Sequence, residues 1–256
     1  MTNAIHPFVE KGFDIATDAY ERGRPEYPAA AVECLIRELA LNENSVAVDV
    51  GAGTGKFTRL LAKSGTKLVA IEPVQGMREK FSRMVPGIQV LDGTAEHMPF
   101  ADETIDAVVV AQAFHWFDGE RALKEMHRVL RPRGKLGLIW NARDEQADWV
   151  VDLTRIIDPF EKGVPRYKSG NWRKAFDTTS LFSSLEYFES GFVQSGDIQM
   201  VLDRIASISF IASMPEQERA AVLGEVAELV RNHPQTRNSE MIRLPYRTDV
   251  FVCQRT

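Results

Sequence analysis

Residues 46–140 alternate short runs rich in β-branched residues with segments whose apolar residues recur at helical spacing. Such alternation is typical of βαβ units, in which the connecting helices cover both faces of a parallel sheet. The predicted strands lie at 46–50, 67–72, 88–91, 105–111 and 135–140. The pattern therefore predicts an α/β fold with a mostly parallel sheet and helices on both faces.

The segments on either side of this region are predicted to extend and cover the sheet. A helix is predicted after Pro28, because proline suits the start of a helix and an apolar stripe follows it. Beyond residue 141 most patterns are helical, and one helix is predicted to begin at a capping box of Ser213 and Glu216. Two alternating runs, at about 185–194 and 245–255, predict strands at the edge of the sheet.

No internal repeat or low-complexity linker divides the sequence, so we expect one domain over residues 1–256. Its core would consist of about 29–141 together with the two late strands. Residues 1–28 would form an N-terminal lid, and about 142–184 and 195–244 an inserted helical cap.

Composition limits the classes of partner. The 256 residues are 44% hydrophobic and 26% charged, with a net charge of −5 and no long basic cluster, which counts against a nucleic-acid partner. No apolar run is long enough to span a bilayer, and no secretory signal pattern opens the chain, so a cytoplasmic protein is expected. Cys34 and Cys253 are too few for a disulfide framework and have no nearby metal-ligand set. We expect a small-molecule partner and no metal.

The first predicted strand leads directly into the glycine-rich segment GAGTG (51–55) and then into a helix. Glycine allows positive φ angles and close approach of the backbone to a ligand. Asp49 precedes the glycines, and its carboxylate would repel a pyrophosphate but suit a ligand with an ammonium group. Lys56 stands where the dinucleotide fingerprint has a small residue, whereas Glu72 could hold the ribose of either ligand class. A nucleoside that carries an ammonium group is therefore favoured over a dinucleotide.

Five segments in this order resemble the class I S-adenosylmethionine-dependent methyltransferases: DVGAGTG (49–55), Glu72, GTAEHMPF (93–100), IDAVVVAQAFHWF (105–117) and EMHRVLRPRGKLGLIWN (125–141). The similarity covers about residues 20–141. YERGRPEYP (20–28) and FHWF (114–117) further resemble a small-molecule branch near the trans-aconitate methyltransferase group. The resemblance implies a seven-stranded Rossmann-like sheet whose last hairpin strand is antiparallel, with S-adenosylmethionine at the carboxyl ends of the parallel strands.

The resemblance also implies roles for individual residues. The glycines and Asp49 would line the methionine part of the cofactor, Arg24 would clamp its carboxylate, and Glu72 would hold the ribose. Thr94 stands where the family usually has Asp, so the adenine contact would rest more on Ala95 or Glu96. The implied cofactor-binding residues are Arg24, Asp49, Gly51, Gly53, Gly55, Glu72, Thr94, Ala95, Glu96, Gln112 and Phe114.

The acceptor side is less clearly marked in the sequence. His115 follows the fourth strand and is the candidate general base, although it could instead fix a loop by hydrogen bonding. The candidate acceptor-binding residues are Tyr20, Tyr27, Trp116, Trp140 and Asn141. Arg143, Arg166, Lys168 and Arg173 would suit an acidic acceptor, and a solvated cationic face is the alternative.

Together these features predict an enzyme that transfers a methyl group from S-adenosylmethionine to an O-, S- or N-nucleophile of a small soluble acceptor. In-line displacement needs alignment and exclusion of water, and no metal. One alternative is a catalytically silent S-adenosylmethionine-binding protein or partner subunit, because the cofactor determinants are clearer than the acceptor determinants. An NAD-dependent oxidoreductase is the other, and it leaves Asp49 and Lys56 unexplained.

Overall fold

Seven strands form a single sheet within residues 23–256, the part of the chain that this computed structural model describes. The strands are β1 (Val46–Val50), β2 (Lys67–Ile71), β3 (Gln89–Leu91), β4 (Ile105–Ala111), β5 (Leu130–Arg143), β6 (Glu186–Gly196) and β7 (Ile242–Gln254). Their order across the sheet is β3-β2-β1-β4-β5-β7-β6. Strands β1 to β5 are parallel, and β7 runs antiparallel to both of its neighbours. The predicted α/β class and the seven-stranded, mostly parallel sheet are confirmed.

The helices lie between and beyond these strands. They are α1 (Ala29–Glu38), α2 (Thr58–Leu61), α3 (Gln75–Met84), α4 (Gly119–Val129), α5 (Asp148–Ile157), α6 (Lys174–Asp177), α7 (Ile198–Ala206), α8 (Ser209–Ala212) and α9 (Glu216–Asn232). Helix α1 begins directly after Pro28, as predicted. None of the described helices is both long and apolar enough to cross a lipid bilayer.

The apolar stripes of the helices bury both faces of the sheet. On one face, Leu35 of α1 lies so close to β5 that a Cβ at Gly137 would come within 2.7 Å of its side chain. On the other face, Leu123 and Met126 of α4 are fully buried in the cluster that contains Trp140. This packing fixes the carboxyl ends of β1, β4 and β5 at one edge of the sheet, where open α/β sheets bind ligands.

Helices α5, α7 and α9 form a separate apolar cluster with the first half of β7. Leu153, Ile205 and Val226 are fully buried there, against Leu244 of the strand. Strand β5 continues to Arg143 because its antiparallel pairing with β7 extends to Arg143 opposite Tyr246. The division of the chain into core, lid and cap stays a prediction, and residues 1–22 of the predicted lid lie outside the described residues.

The predicted capping box at the start of α9 is wrong. The residue before the helix is Pro215, in an extended conformation, and it makes no side-chain cap. The Ser213 hydroxyl instead donates to the Phe210 carbonyl at 3.2 Å, and the Ser213 amide donates to Ser209. Ser213 therefore ends α8 and is not the N-cap of α9. The capping box required Ser213 to be that N-cap.

Candidate active site

The glycine-rich loop folds across the end of β2. The amides of Gly51 and Ala52 both donate to the Ile71 carbonyl, at 2.8 and 3.1 Å. Gly51 has a φ of +72°, and a Cβ added to it would lie 2.8 Å from the Cβ of Ala113. Only glycine fits at this position without displacing the loop from the end of β4. The loop therefore forms a backbone cradle between two strand ends.

Glu72 connects this loop to the end of β2. Its Oε2 accepts a hydrogen bond from the Gly53 amide at 2.9 Å, and its Oε1 accepts one from the Val74 amide at 2.9 Å. The side chain is buried, and this burial raises the pKa of the Glu72 carboxyl. Each oxygen keeps a lone pair, so the carboxylate can also accept hydrogen bonds from ligand hydroxyls.

Asp49 is a buried carboxylate with one unsatisfied oxygen. Its Oδ2 accepts a hydrogen bond from the Thr58 hydroxyl at 2.6 Å. Its Oδ1 is buried and has no hydrogen-bond partner in the described part of the chain. Burial raises the pKa of Asp49 to about 7, and the nearby Glu72 carboxylate adds to the effect. An unpaired buried carboxylate oxygen is costly, and a ligand ammonium group would satisfy it.

The segment after β3 packs beside the end of β2. Thr94 and His97 pair through their backbones, at 3.2 Å in each direction, and Ala95 between them is buried. A Cβ at Gly93 would lie 3.2 Å from the Ile71 side chain, which places this turn close to the glycine-rich loop. Glu96 faces the next element, because its carboxylate accepts a hydrogen bond from the Asp118 amide before α4 at 2.9 Å.

Strand β4 ends in a residue with an unusual backbone conformation. Gln112 has a φ of +58°, its amide donates to the Ile139 carbonyl at 2.9 Å, and its side chain donates to the Asn141 carbonyl at 3.3 Å. Such conformations in residues other than glycine cost about 1–3 kcal/mol and cluster at functional sites. Phe114, predicted to flank the cofactor, is buried in the core, with its ring 6.3 Å from that of Trp172.

The N-terminal segment at residues 23–28 is held across the site by hydrogen bonds. The Lys56 ammonium donates to the Arg24 carbonyl at 2.5 Å and lies 3.7 Å from the Glu26 carboxylate. The Asn141 side-chain amide donates to the Glu26 carbonyl at 3.1 Å. Tyr27 packs edge-on against Phe57, with ring centres 4.7 Å apart, and its predicted contact with the acceptor stays a prediction. Tyr20 lies outside the described residues.

A cavity of about 590 Å³ opens where β4 and β5 end. Of the predicted site residues, Arg24, Gln112, His115, Trp116 and Asn141 line it. Its basic lining residues are Arg24, Arg143, Arg166, Lys168, Arg173, Arg204 and Arg247. All four cations suggested by the sequence are therefore brought together, whereas Arg204 and Arg247 were missed because they arrive from α7 and β7. Local spacing held no signal for either of these two arginines.

His115 is a half-buried residue whose proton position is fixed by Trp140. The Trp140 indole N–H donates to His115 Nδ1 at 3.2 Å. Because an indole nitrogen can only donate, Nδ1 is unprotonated and a neutral His115 carries its hydrogen on Nε2. Burial, with the positive charges of Arg166 and Arg24, lowers the pKa of His115 to about 3. The general-base role stays a prediction, and both observations weigh against it.

Trp140 supports the cavity without lining it. It is fully buried, and its ring is 4.7 Å from Tyr167, in a stacked arrangement, and 4.7 Å from Trp172. Tyr167 and Trp172 both line the cavity. Asn141 is bound by Thr248, whose hydroxyl donates to Asn141 Oδ1 at 2.6 Å. The acceptor contact of Trp140 stays a prediction, and its complete burial weighs against that contact.

Two kinds of comparison place these features among known proteins. Residues 48–138 match the family model described as a methyltransferase domain. An uncharacterised methyltransferase of Mycobacterium tuberculosis is 39% identical over 243 residues, which cover 95% of this chain and 94% of that protein. An uncharacterised methyltransferase-like protein of Schizosaccharomyces pombe is 34% identical over 242 residues, 94% of each chain.

The structural comparison agrees with the sequence comparison. A protein of Anaeromyxobacter dehalogenans, provisionally assigned as a type II methyltransferase, has the same fold, with a TM-score of 0.68 and 21% identity. The match covers 90% of this chain and 97% of that one. At this identity the likeness concerns the fold, and the chemistry has to be argued from the site itself.

Proposed function

The chain belongs to the class I S-adenosylmethionine-dependent methyltransferases, and we propose that it methylates a small molecule held in the 590 Å³ cavity. The observation that carries this proposal is the buried Oδ1 of Asp49 beside the glycine-rich loop, which has no hydrogen-bond partner among residues 23–256. It offers a negative charge where a dinucleotide would bring a pyrophosphate. The narrower resemblance to the trans-aconitate methyltransferase group stays a prediction, as do the cytoplasmic location and the exclusion of nucleic-acid acceptors.

The residues present fit the cofactor. Asp49 Oδ1 would accept a hydrogen bond from the ammonium of the methionine part, and the backbone cradle at Gly51 leaves room for close approach. The Glu72 carboxylate would accept hydrogen bonds from the ribose hydroxyls, and Thr94 and Ala95 would lie beside the adenine. When bound, S-adenosylmethionine supplies a methyl group on a positively charged sulfur, from which an acceptor atom takes it in line while the C–S electron pair stays on sulfur.

The residues of the chain contribute positioning and exclusion of water. The segment at 23–28, tied down by Lys56 and Asn141, is the described part of the proposed lid. We propose that the Nε2–H of His115 donates a hydrogen bond to the acceptor and thereby orients it. A histidine with a pKa of about 3 is a poor base at neutral pH. Alignment of this kind can supply much of the rate enhancement of a displacement reaction.

Titration calorimetry with S-adenosylhomocysteine, the demethylated cofactor, tests the cofactor part of the proposal. We expect binding in the micromolar range and no binding of NAD or NADH. Absence of S-adenosylhomocysteine binding at millimolar concentration, or preferential binding of NADH, would overturn it. Tight binding of the cofactor with no methylated product from any acceptor would instead favour the alternative of a catalytically silent binding protein.

A further inference from the structure

Strand β6 forms one edge of the seven-stranded sheet. On its inner side it pairs with β7 without interruption, from Glu186 opposite Val252 to Gly196 opposite Ile242. Among residues 23–256, no strand pairs with its outer side. Such an edge presents a row of backbone N–H and C=O groups to any strand that can lie beside it. All 11 residues of β6 are therefore available for further pairing.

The sequence of β6 lacks the features that protect the edges of most sheets. Natural edge strands are commonly short or bulged, or they carry lysine or proline. EYFESGFVQSG (186–196) contains no lysine, arginine or proline, and its register with β7 is unbroken. Tyr187 and Val193, at 47% and 41% exposed, are two of the four large apolar residues that the described part of the chain exposes. A long edge strand with these properties favours pairing with another chain.

The side chains of β6 alternate between the two faces of the sheet. The odd-numbered residues from Tyr187 to Ser195 are exposed, whereas Phe188 and Phe192 on the other face are half-buried. Phe188 packs against the apolar cluster of helix α1 and the sheet, and the Phe192 ring stacks on that of Tyr246, with centres 5.0 Å apart. Both faces of the strand therefore have apolar surface left to bury along the same edge.

A second copy of β6 fits this edge best in one antiparallel register. When Ser190 lies on a two-fold axis, Tyr187 faces Val193 of the partner subunit. On the other face of the sheet, Phe188 faces Phe192 of the partner subunit. An aromatic residue opposite a β-branched or aromatic one is a favourable cross-strand pair. This register therefore joins the exposed apolar residues on one face and the aromatic residues on the other.

The charges of the strand favour the same register. Glu189 faces Gly191 of the partner subunit, and Glu186 faces Gln194 of the partner subunit, so no two carboxylates lie opposite each other. An axis at Glu189 would place two carboxylates directly opposite, which is unfavourable. An axis at Gly191 would set Phe188 against Gln194 of the partner subunit and separate the aromatic pairs.

We propose that β6 pairs with β6 of a second copy of this chain, antiparallel about a two-fold axis at Ser190, so that the two seven-stranded sheets form one continuous sheet. The interface is isologous, because each copy offers the same strand. Strands β5 and β7 separate this edge from β4 and the glycine-rich loop. The proposal concerns assembly and does not depend on methyl transfer.

Sedimentation velocity of the full chain over about 1 to 200 µM tests for the dimer. A contact between two single strands lies at the small end of specific interfaces, so we expect a dissociation constant on the order of 10 µM. A monomer at every concentration would overturn the proposal, and so would a larger assembly in place of a dimer.

Two substitutions of Gly191 test whether β6 forms the interface in this register. Of the described atoms, only the Tyr246 carbonyl oxygen would lie within 4 Å of a Cβ at Gly191, at 3.9 Å, so a side chain fits there. Gly191→Lys places an ammonium group opposite Glu189 of the partner subunit, twice in each dimer, and should tighten association roughly 2- to 30-fold. Gly191→Glu places a carboxylate there and should weaken association by a similar factor. Salt at about 0.5 M should reduce the difference between the two variants.

Gly224→Lys and Gly224→Glu are the matched controls. Gly224 is exposed on α9, and no described atom would lie within 4 Å of a Cβ there. These variants change the net charge by the same amounts and should leave the dissociation constant within about twofold of the parent value. Equal effects of the two Gly191 variants, or effects at Gly224 as large as those at Gly191, would overturn the proposed interface.

A double variant separates lost pairing from misfolding. Glu189→Lys combined with Gly191→Glu exchanges the two charges, so dimerisation should recover to at least the parent level. Failure of this variant to dimerise, although its monomer unfolds at the same temperature as that of Gly191→Glu, would contradict the pairing of residues 189 and 191. S-adenosylhomocysteine affinity should be the same in all these variants, because the interface lies away from the glycine-rich loop. A dimer that does not bind S-adenosylhomocysteine would keep this inference and remove the proposed function.

Discussion

The cofactor side and the acceptor side of the site are built from the chain in different ways. Most residues of the proposed cofactor side lie between 49 and 96, each at or just beyond the carboxyl end of a strand, and Arg24, Gln112 and Phe114 are the exceptions. The acceptor side combines residues from the N-terminal segment, β4, β5, the loops around 158–173, α7 and β7. A site made by local backbone geometry tolerates little change, whereas one made by distant side chains can change its ligand without changing the fold.

The two sides also bury opposite charges. On the cofactor side, burial raises the pKa of Asp49 and of Glu72. On the acceptor side, burial lowers the pKa of His115 and of Arg143. Each side thus holds charges that are costly without a ligand, and each charge sign suits a ligand group of the opposite sign. The predictions below test this contrast.

The largest effect is expected from Gly51→Ala. The new Cβ would lie 2.8 Å from Ala113 at a φ of +72°, so the loop must move away from the end of β4. We expect S-adenosylhomocysteine affinity to fall roughly 100-fold or more and stability to fall by about 1–3 kcal/mol. Calorimetry and thermal unfolding measure the two effects.

Gly163→Ala is the matched control for Gly51→Ala. Gly163 has a similar φ of +77°, and a Cβ there would meet nothing within 4 Å. It imposes the backbone strain without the steric clash, so it should lose stability but keep cofactor affinity. Equal losses of affinity in both variants would show that the cradle at Gly51 has no special part in binding.

Asp49→Asn should have the next largest effect. An amide cannot form the charge-assisted hydrogen bond to an ammonium group, so we expect S-adenosylhomocysteine to bind roughly 10- to 50-fold more weakly at pH 8. Asp102→Asn, a change to a carboxyl that is 74% exposed, provides the control and should bind as the parent does. An unchanged affinity in Asp49→Asn would contradict the cofactor orientation proposed here.

Titration of Asp49 should make cofactor binding depend on pH. Because burial raises its pKa to about 7, the carboxyl is mostly protonated at pH 6 and mostly ionised at pH 8. The ionised form binds an ammonium group, so parent affinity should rise with pH across this range, while Asp49→Asn stays nearly flat. A slope that survives in Asp49→Asn would assign the dependence to another group, with Glu72 the nearest candidate.

In the unliganded protein, the same carboxyl should make the free energy of unfolding fall as pH rises, whereas cofactor affinity rises. The folded pKa of Asp49, about 7, lies above its ordinary value of 3.8, so the folded state holds the proton more tightly than the unfolded state. This group therefore destabilises the fold progressively as pH rises from about 4 to 7, with no further change above pH 7 or so. Asp49→Asn removes this contribution, and unfolding measured across that range checks it.

A smaller effect is expected from Lys56→Met. Lys56 follows the glycine-rich loop of the cofactor side and binds the segment at 23–28, which also borders the acceptor side. Lys56 holds the segment at 23–28 through the Arg24 carbonyl, so its loss should loosen that segment and weaken cofactor binding roughly 3- to 10-fold. Lys63→Met, at an exposed lysine of the neighbouring turn, is the control. Hydrogen exchange of residues 23–28 should rise in Lys56→Met alone, and unchanged exchange would contradict the role of Lys56.

The same contrast explains what the sequence could and could not predict. Strands β1 and β4 were predicted with their observed bounds, because their runs of β-branched residues, and for β1 the glycines that follow, are local signals. The pairing of β5 with β7, which lengthens both strands, depends on contacts across more than a hundred residues. The capping box at Ser213 failed because Ser213 ends α8 and the next helix begins after Pro215.

The candidate site divides along the same line. Asp49 and Gly51 could be predicted as cofactor-binding residues because their positions relative to the end of β1 determine where they lie. For Tyr27 of the N-terminal segment and Trp140 near the end of the fifth strand, the sequence alone does not show whether the aromatic ring packs or binds a ligand. Arg204 and Arg247 reach the cavity only through the packing of α7 and β7, which no short pattern in the sequence encodes.

The smallest effect is expected from His115→Gln, which tests whether the acceptor side contains a base. Glutamine keeps a hydrogen-bond donor near Nε2, so kcat should fall less than about threefold, with no new dependence on pH between 5.5 and 8.5. A general base would instead show a loss of roughly 100-fold and an acid limb in the parent that disappears in the variant. The small effect fits an acceptor that arrives already ionised and needs no base. A large effect would mean that a neutral nucleophile must lose a proton here and would remove the electrostatic contrast between the two sides.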